Sequence, residues 1–246
     1  MNENYSHVDN FTDYMKNVYD KVSTLRHIGN GYPKVLDLPA GNGKLSEVLR
    51  EDGFEVVSAD INCEKEDYTY VNMEKRLPFG NNEFDIVICP EGIEHVINPQ
   101  ELIKEFSRIT KSDGYVIITT PNIQNCFSRF QFFSTGYFYQ FHPSPTRHNP
   151  FGKEIDRGHV SPLSYLQLRY LFEEYGLQID EIDGDRYKKM ILLPLYIPFL
   201  IYGKYWIYKD YIKGGKKDFK KEIIKHLFSL KMLFSRSLII TFKKRL

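Results

Sequence analysis

Two carboxylates and an imidazole fall within five residues, Glu91-Gly92-Ile93-Glu94-His95, and a further histidine, His159, stands in Arg157-Gly158-His159-Val160-Ser161. If the first run opens a helix, its i, i+3 and i, i+4 spacing places Glu91, Glu94 and His95 on one face. Such a donor set suits a divalent cation such as Mg2+, which would lower the pKa of a bound hydroxyl and orient it for attack. The same residues also suit a site without metal. There His95 or His159, neutral near pH 7, serves as the general base, while the carboxylates orient a ligand or cap the helix. Both readings stand at this point. His142 and His148 are weaker candidates, and His7, His27 and His226 read as surface residues.

The elements that must position this group begin at Lys34-Val35-Leu36-Asp37, a short apolar run followed by Pro39-Ala40-Gly41-Asn42-Gly43 and then a helical pattern through Leu45, Val48 and Leu49. That reads as strand, tight turn and helix, with helix N–H groups facing whatever ligand approaches the glycines. Two phosphate-binding patterns fail here. A dinucleotide fingerprint needs a third glycine where Ser46 stands, and a P-loop needs Ser or Thr after Lys44, where Leu45 stands. A second apolar run, Phe54 to Ala59, ends at Asp60, an acid placed to accept hydrogen bonds from ribose hydroxyls.

The turn resembles the first motif, D-x-G-x-G-x-G, of the class I S-adenosylmethionine (SAM) methyltransferases, with Pro39 in place of the first glycine. Leu77-Pro78-Phe79, Phe84-Asp85-Ile86-Val87 and Asp113-Gly114 to Thr120-Pro121-Asn122 match later segments of that family in order, over residues 30 to 125, and the likeness resumes near 158 to 185. The resemblance implies an α/β fold: a doubly wound, mostly parallel seven-stranded sheet with an antiparallel edge strand. It also implies SAM as cofactor, held by Asp37, Pro39, Gly41, Gly43, Asp60, Ile61, Asn72, Met73 and Cys89. Asn72 stands where Asp is usual, and its oxygen would accept from the adenine amino group. The run E-x-x-E-H with a later His is similar to the ubiquinone-pathway O-methyltransferases and the small-RNA 2′-O-methyltransferases. From the latter, the likeness implies metal ligands at Glu91, Glu94, His95 and His159.

With 246 residues, the chain reads as one large domain with an insertion. Residues 8 to 28 have an amphipathic helical pattern. Residues 123 to 160, rich in Phe and Tyr, read either as a cap over an acceptor pocket or as a loop packed on the sheet. Ser161-Pro162 reads as a helix start, Gly176 as its stop, Leu177 to Asp183 and Leu238 to Phe242 as the last two strands, and 186 to 234 as an insertion between them. Residues 186 to 246 carry 16 Lys and Arg against 3 Asp and Glu, whereas residues 1 to 185 carry 17 against 29. That insertion opens with the apolar run Met190 to Tyr202, too short and proline-interrupted to span a membrane, followed by tyrosines, a tryptophan and lysines. It reads either as a peripheral membrane contact over 190 to 225, or as a buried helix pair that closes the site or forms a homodimer. The basic tail allows a nucleic-acid partner, yet its charges sit beside aliphatic runs and carry no RNA-binding motif. Three cysteines without metal spacing, and a polar start at Met1 to Asn10, fit a cytoplasmic protein. The expectation is therefore O-methylation of a hydroxyl, on a sugar or small molecule of cell-surface glycan biosynthesis. The rivals are N-methylation of an amine, an RNA-modifying enzyme, and a non-catalytic SAM-binding subunit.

Overall fold

The computed structural model describes residues 11–28, 31–62, 65–142, 158–187, 189–212 and 217–245. His7, His148 and the middle of the 123 to 160 segment lie outside them.

Seven strands form one sheet: β1 (Lys34–Asp37), β2 (Glu55–Asp60), β3 (Thr69–Tyr70), β4 (Phe84–Pro90), β5 (Thr110–Pro121), β6 (Leu177–Gly184) and β7 (Ser237–Lys244). Their spatial order is β3-β2-β1-β4-β5-β7-β6. The first five run parallel, and β7 lies antiparallel between β5 and β6. β4 is the most enclosed strand: all seven residues from Phe84 to Pro90 are buried. A strand covered on both faces needs such an uninterrupted apolar run, because neither set of alternating side chains meets water.

Helices cover both faces. On one face α1 (Asp13–Thr24) and α2 (Lys44–Glu51) pack Met15, Val18, Val22, Leu45 and Leu49 onto Val35, Ile86, Ile88 and Ile117. On the other, α3 (Pro99–Ile109) and α5 (Tyr165–Glu174) pack Leu102, Ile103, Phe106, Leu168 and Phe172 onto Leu36, Val87, Cys89, Val116 and Ile118. Neighbours along each strand thus divide between two cores, as the alternation of a pleated sheet requires. Phe172 stacks on Phe242 with ring centroids 3.7 Å apart, which ties α5 to the antiparallel strand β7. Between β5 and α5 lies α4 (Cys126–Thr135); between β6 and β7 lie α6 (Leu193–Ile212), α7 (Lys217–Leu227) and the single turn α8 (Leu230–Phe234). Among the described residues no helix is long and apolar enough to cross a membrane.

Three details differ from the sequence reading. α1 spans 13 to 24, shorter than its apolar pattern. α5 starts after Ser164, whose side chain accepts from the Gln167 amide; Ser161 instead donates its hydroxyl to the Val96 carbonyl at 2.6 Å, so Pro162 precedes the helix. And α6 is not a buried element: Leu195, Ile197, Phe199, Ile201, Tyr202, Tyr205, Trp206 and Tyr208 are all exposed.

β1 connects outward to β2 and β3 before the chain returns as β4 on the other side of β1. The crevice at the C-terminal ends of β1 and β4 is where open sheets of this kind bind ligands.

Candidate active site

The turn after β1 is held from within. Gly41 and Gly43 have φ of 53° and 76°, a left-handed conformation that glycine adopts without Cβ strain. A Cβ at Gly43 would also meet the Tyr68 hydroxyl at 2.5 Å, so that side chain would have to shift to admit it. That hydroxyl donates to the Gly41 carbonyl at 3.0 Å. Asp60, at the end of β2, accepts from the Gly41 amide through Oδ2 and from the Asn62 amide through Oδ1, both at 2.9 Å. A carboxylate at this position, beside the glycine turn, is of the type that accepts from ligand hydroxyls.

Asp37, at the end of β1, is wholly buried. Its Oδ2 accepts from Ser46 at 2.7 Å. Ser46 accepts from Ser58 at 2.8 Å, and Ser58 from Arg50 at 2.6 Å, so a polar relay leads from that guanidinium to the buried carboxyl. Its Oδ1 has no partner among the described residues. Burial raises the Asp37 carboxyl to about 7, against the lowering effect of Ser46. An unsatisfied buried acceptor beside two glycines and a second acid fits a ligand that brings hydrogen-bond donors and positive charge.

The other expected cofactor residues fare differently. Asn72 closes an Asx turn by accepting from the Glu74 amide at 2.8 Å. Ile61 and Met73 are half-buried, and Met73 packs against the main core. Cys89 is core: its side chain is fully enclosed, and burial pushes its thiol well above the usual range. Pro39 and Cys89 meet at Gly92, where a Cβ would stand 2.4 Å from Pro39 Cδ and 3.0 Å from Cys89 Sγ. The proline in the glycine turn therefore packs that turn against the one after β4.

The turn after β4 opens with Glu91 at φ 47°, a strained conformation for a residue with a Cβ. Its amide donates to the Thr119 hydroxyl at 2.8 Å, and the same hydroxyl faces the Glu91 carboxylate at 3.3 Å. Burial raises the Glu91 pKa, opposed by Arg236 and Ser237. Glu91 in turn helps burial hold the Tyr14 hydroxyl up at about 12. Only Ile93–His95 form a helical turn, of 3-10 type. The expected common face is thus split: Glu91 looks toward β5, β7 and α1, while Glu94 and His95 belong to the turn itself.

Those two meet His159. One ligand atom each from Glu94, His95 and His159 lie within 4.8 Å of one another. The two imidazole rings stand edge to face with centroids 4.8 Å apart. The Val160 and Ser161 amides donate to the Glu94 carbonyl at 2.9 and 3.0 Å, which brings the 158 to 161 segment to this turn. His159 Nδ1 lies 2.9 Å from the Gln140 carbonyl, and Phe141 packs at 5.4 Å from its ring. A neutral ring whose Nδ1–H is donated to a carbonyl carries its basic lone pair on Nε2. Three of the four expected ligands are therefore together and Glu91 is apart. His142 is exposed and stacks obliquely on Tyr137 at 5.8 Å, away from this group. His226, read as a surface residue, is half-buried: its Nδ1 lies 2.8 Å from the Tyr165 hydroxyl, which also accepts from Arg169 at 3.1 Å, and burial lowers its pKa.

Tyr68, Gln140 and Gly92 carry parts of the site that the sequence did not point to. Gly92 offered one signal, a glycine directly after an acid at a strand end. Tyr68 and Gln140 offered none, since each acts from a loop through a single contact.

The profile of a family described as "Methyltransferase domain" matches residues 9–182. The ubiquinone biosynthesis O-methyltransferase of Yersinia enterocolitica is 30% identical over 103 residues, which is 36% of this chain and 43% of that relative, so the match spans less than half of it. The enzyme of the same name from Azoarcus is 27% identical over 175 residues, 65% of this chain and 71% of the relative. Among solved structures, a SAM-dependent methyltransferase from Archaeoglobus fulgidus superposes with a TM-score of 0.56 at 18% identity, covering 94% of each chain. A Haemonchus contortus phosphoethanolamine N-methyltransferase complexed with SAM gives 0.51 at 14% identity, covering 94% of this chain and 53% of the other. At these identities the structures attest the fold alone.

Proposed function

This chain belongs to the methyltransferase-domain family, and from that premise we propose that it transfers a methyl group from SAM to a hydroxyl of a sugar or similar small acceptor, as a step of cell-surface glycan synthesis. The observation that carries the reading is the convergence of Glu94, His95 and His159 at the end of β4, packed through Gly92 and Pro39 against the turn that would hold the donor. The relatives named O-methyltransferases support oxygen as the acceptor atom.

SAM supplies a methyl on a positively charged sulfonium. Asp60 presents its carboxylate to the ribose hydroxyls, and Gly41 and Gly43 let the nucleoside approach the backbone. Asp37 Oδ1 and the adjacent acid make the floor of the crevice favourable to a cation. At the acceptor side an imidazole of the His95–His159 pair takes the hydroxyl proton as the carbon–oxygen bond forms and the carbon–sulfur bond breaks. The Gln140 carbonyl, accepting from Nδ1–H, holds His159 in the tautomer whose Nε2 can take a proton.

The donor set favours one second reading. One carboxylate and two imidazoles suit a divalent cation; Glu94, His95 and His159 would hold it, and it would supply a lowered pKa to a bound hydroxyl. The test is transfer of an isotope-labelled methyl to vicinal-diol and amine acceptors, before and after dialysis against EDTA. Label on hydroxyls is expected. Activity that survives EDTA supports the imidazole base, and activity lost and restored by Mn2+ supports the cation. Label appearing on amines alone would overturn O-methylation.

A further inference from the structure

We infer that α6 is a membrane-docking helix that tilts into the surface of an anionic bilayer, its first half deeper than its second. Among its described side chains α6 packs on the body of the chain along one narrow line, and it also neighbours α7. Leu193, Tyr196 and Leu200 pack with Cys126, Leu233 and Phe234, and Gly203 and Ile207 continue that line, half-buried, at helical spacing. Every other large apolar side chain described on it faces outward, with Phe199 72%, Ile201 66%, Tyr202 63%, Tyr205 61% and Trp206 51% exposed. At 100° per residue the exposed apolar positions sweep an arc of roughly 200°. Globular helices leave an apolar face uncovered on this scale only where something else covers it.

The pattern along the axis selects the occupant. The first half presents Leu195, Ile197, Phe199 and Ile201; the second presents Tyr202, Tyr205, Trp206 and Tyr208 with Lys204 and Lys209 among them. Aliphatic side chains followed by tyrosine, tryptophan and lysine match the change from acyl chains to headgroups. The apolar run from Met190 to Tyr202 is about 20 Å long as helix, short of the ~30 Å hydrocarbon core, so α6 enters the interface and does not cross. α4, which shares the contact cluster with α6, adds Phe130, Phe132 and Phe133, the last 88% exposed. The charge of the region fits anionic lipid: residues 186 to 246 hold 16 basic against 3 acidic side chains. The same charge opposes a second copy as the occupant, because a two-fold pairing of α6 would bring two lysine-rich segments together.

Trp206 is the one tryptophan of the chain and reports on the proposal directly. Full-length protein is mixed with vesicles of phosphatidylglycerol and phosphatidylcholine, or of phosphatidylcholine alone, at low and high salt. The expected result is a blue shift of Trp206 emission and quenching by brominated acyl chains with the anionic vesicles, weakening at least tenfold at high salt. A Phe199→Asp/Ile201→Asp variant should bind at least tenfold more weakly, with unchanged circular dichroism and unchanged SAM binding by calorimetry. Three results would overturn the inference: no shift with anionic vesicles at low salt, equal binding by the variant, or a Trp206 already blue-shifted without lipid in a dimer that the variant abolishes. None of these bears on methyl transfer, which is read separately.

Discussion

The turns after β1 and β4 sit on adjacent strands and are built in opposite ways. The donor turn closes on itself: Asp60 and Asn42 accept from its amides, Tyr68 donates to its carbonyl and Ser46 donates to one oxygen of its buried carboxyl, all from within about thirty residues of chain. The acceptor turn is completed from far away, by Gln140, Phe141 and His159, and it is held by two amides on the Glu94 carbonyl. One is a prefabricated cradle, and the other exists only when the 158 to 161 segment is docked. The difference teaches that donor binding and acceptor chemistry should separate under mutation even though the two turns touch.

The largest effect expected follows from that separation. His159→Ala should lower the rate constant for methyl transfer on the order of 10²- to 10⁴-fold, the usual value of a positioned base, while SAM affinity by calorimetry stays within threefold. A comparable loss of SAM binding would mean that the two halves form one unit and would break the comparison.

The same contrast explains what the sequence revealed. The donor half was legible because its signals are consecutive: strand, acid, glycine turn and helix follow one another from Lys34 to Leu49, and Asp60 ends the next strand. The mostly parallel sheet followed from the alternation of strands and helices, and the antiparallel pairing of β6 with β7 followed from the family resemblance. The acceptor half was legible in its residue types and not in its geometry. A five-residue run was read as a helix face, but a left-handed Glu91 turns the chain before the helical turn begins and sends that carboxylate the other way. Helical periodicity cannot reveal a single backbone reversal. Nor could it show that most of Met190 to Tyr202, apolar enough to be buried, would stay exposed; that depends on how much surface the body offers to cover it, and among the described side chains it covers only the line through Leu193, Tyr196 and Leu200.

The pH dependence of stability reads how closed the donor half is. Burial raises the Asp37 carboxyl from 3.8 to about 7. Between those values the folded chain keeps a proton that the unfolded chain has released, so this group makes folding stability fall as pH rises from about 4 to 7, and the full penalty applies above 7. A carboxamide in its place cannot ionise. Asp37→Asn should therefore gain about 2 to 3 kcal/mol relative to wild type on going from pH 5 to pH 8, read from urea unfolding at both. Equal differences at the two pH values would show a solvated carboxylate and an open turn.

A third substitution targets the contact between the halves. At Gly92 a methyl group would overlap Pro39 and crowd Cys89. Gly92→Ala should cost about 1 to 3 kcal/mol by overpacking. Unlike His159→Ala it should weaken SAM binding and slow transfer together, because it displaces one turn by pushing on the other. If only the rate falls, the strain is absorbed on the β4 side and Pro39 is not a true bridge.

The smallest effect separates the folded body from the helix it leaves bare. Phe199, on α6, is 72% exposed, so removing its ring takes almost nothing from the folded state that the unfolded state does not also lose. Phe199→Ser should leave thermal stability within about 0.5 kcal/mol of wild type, as for surface positions in general. A loss of several kcal/mol in lipid-free buffer would require this ring to be covered in solution, and the contact that covers it would then have to be protein.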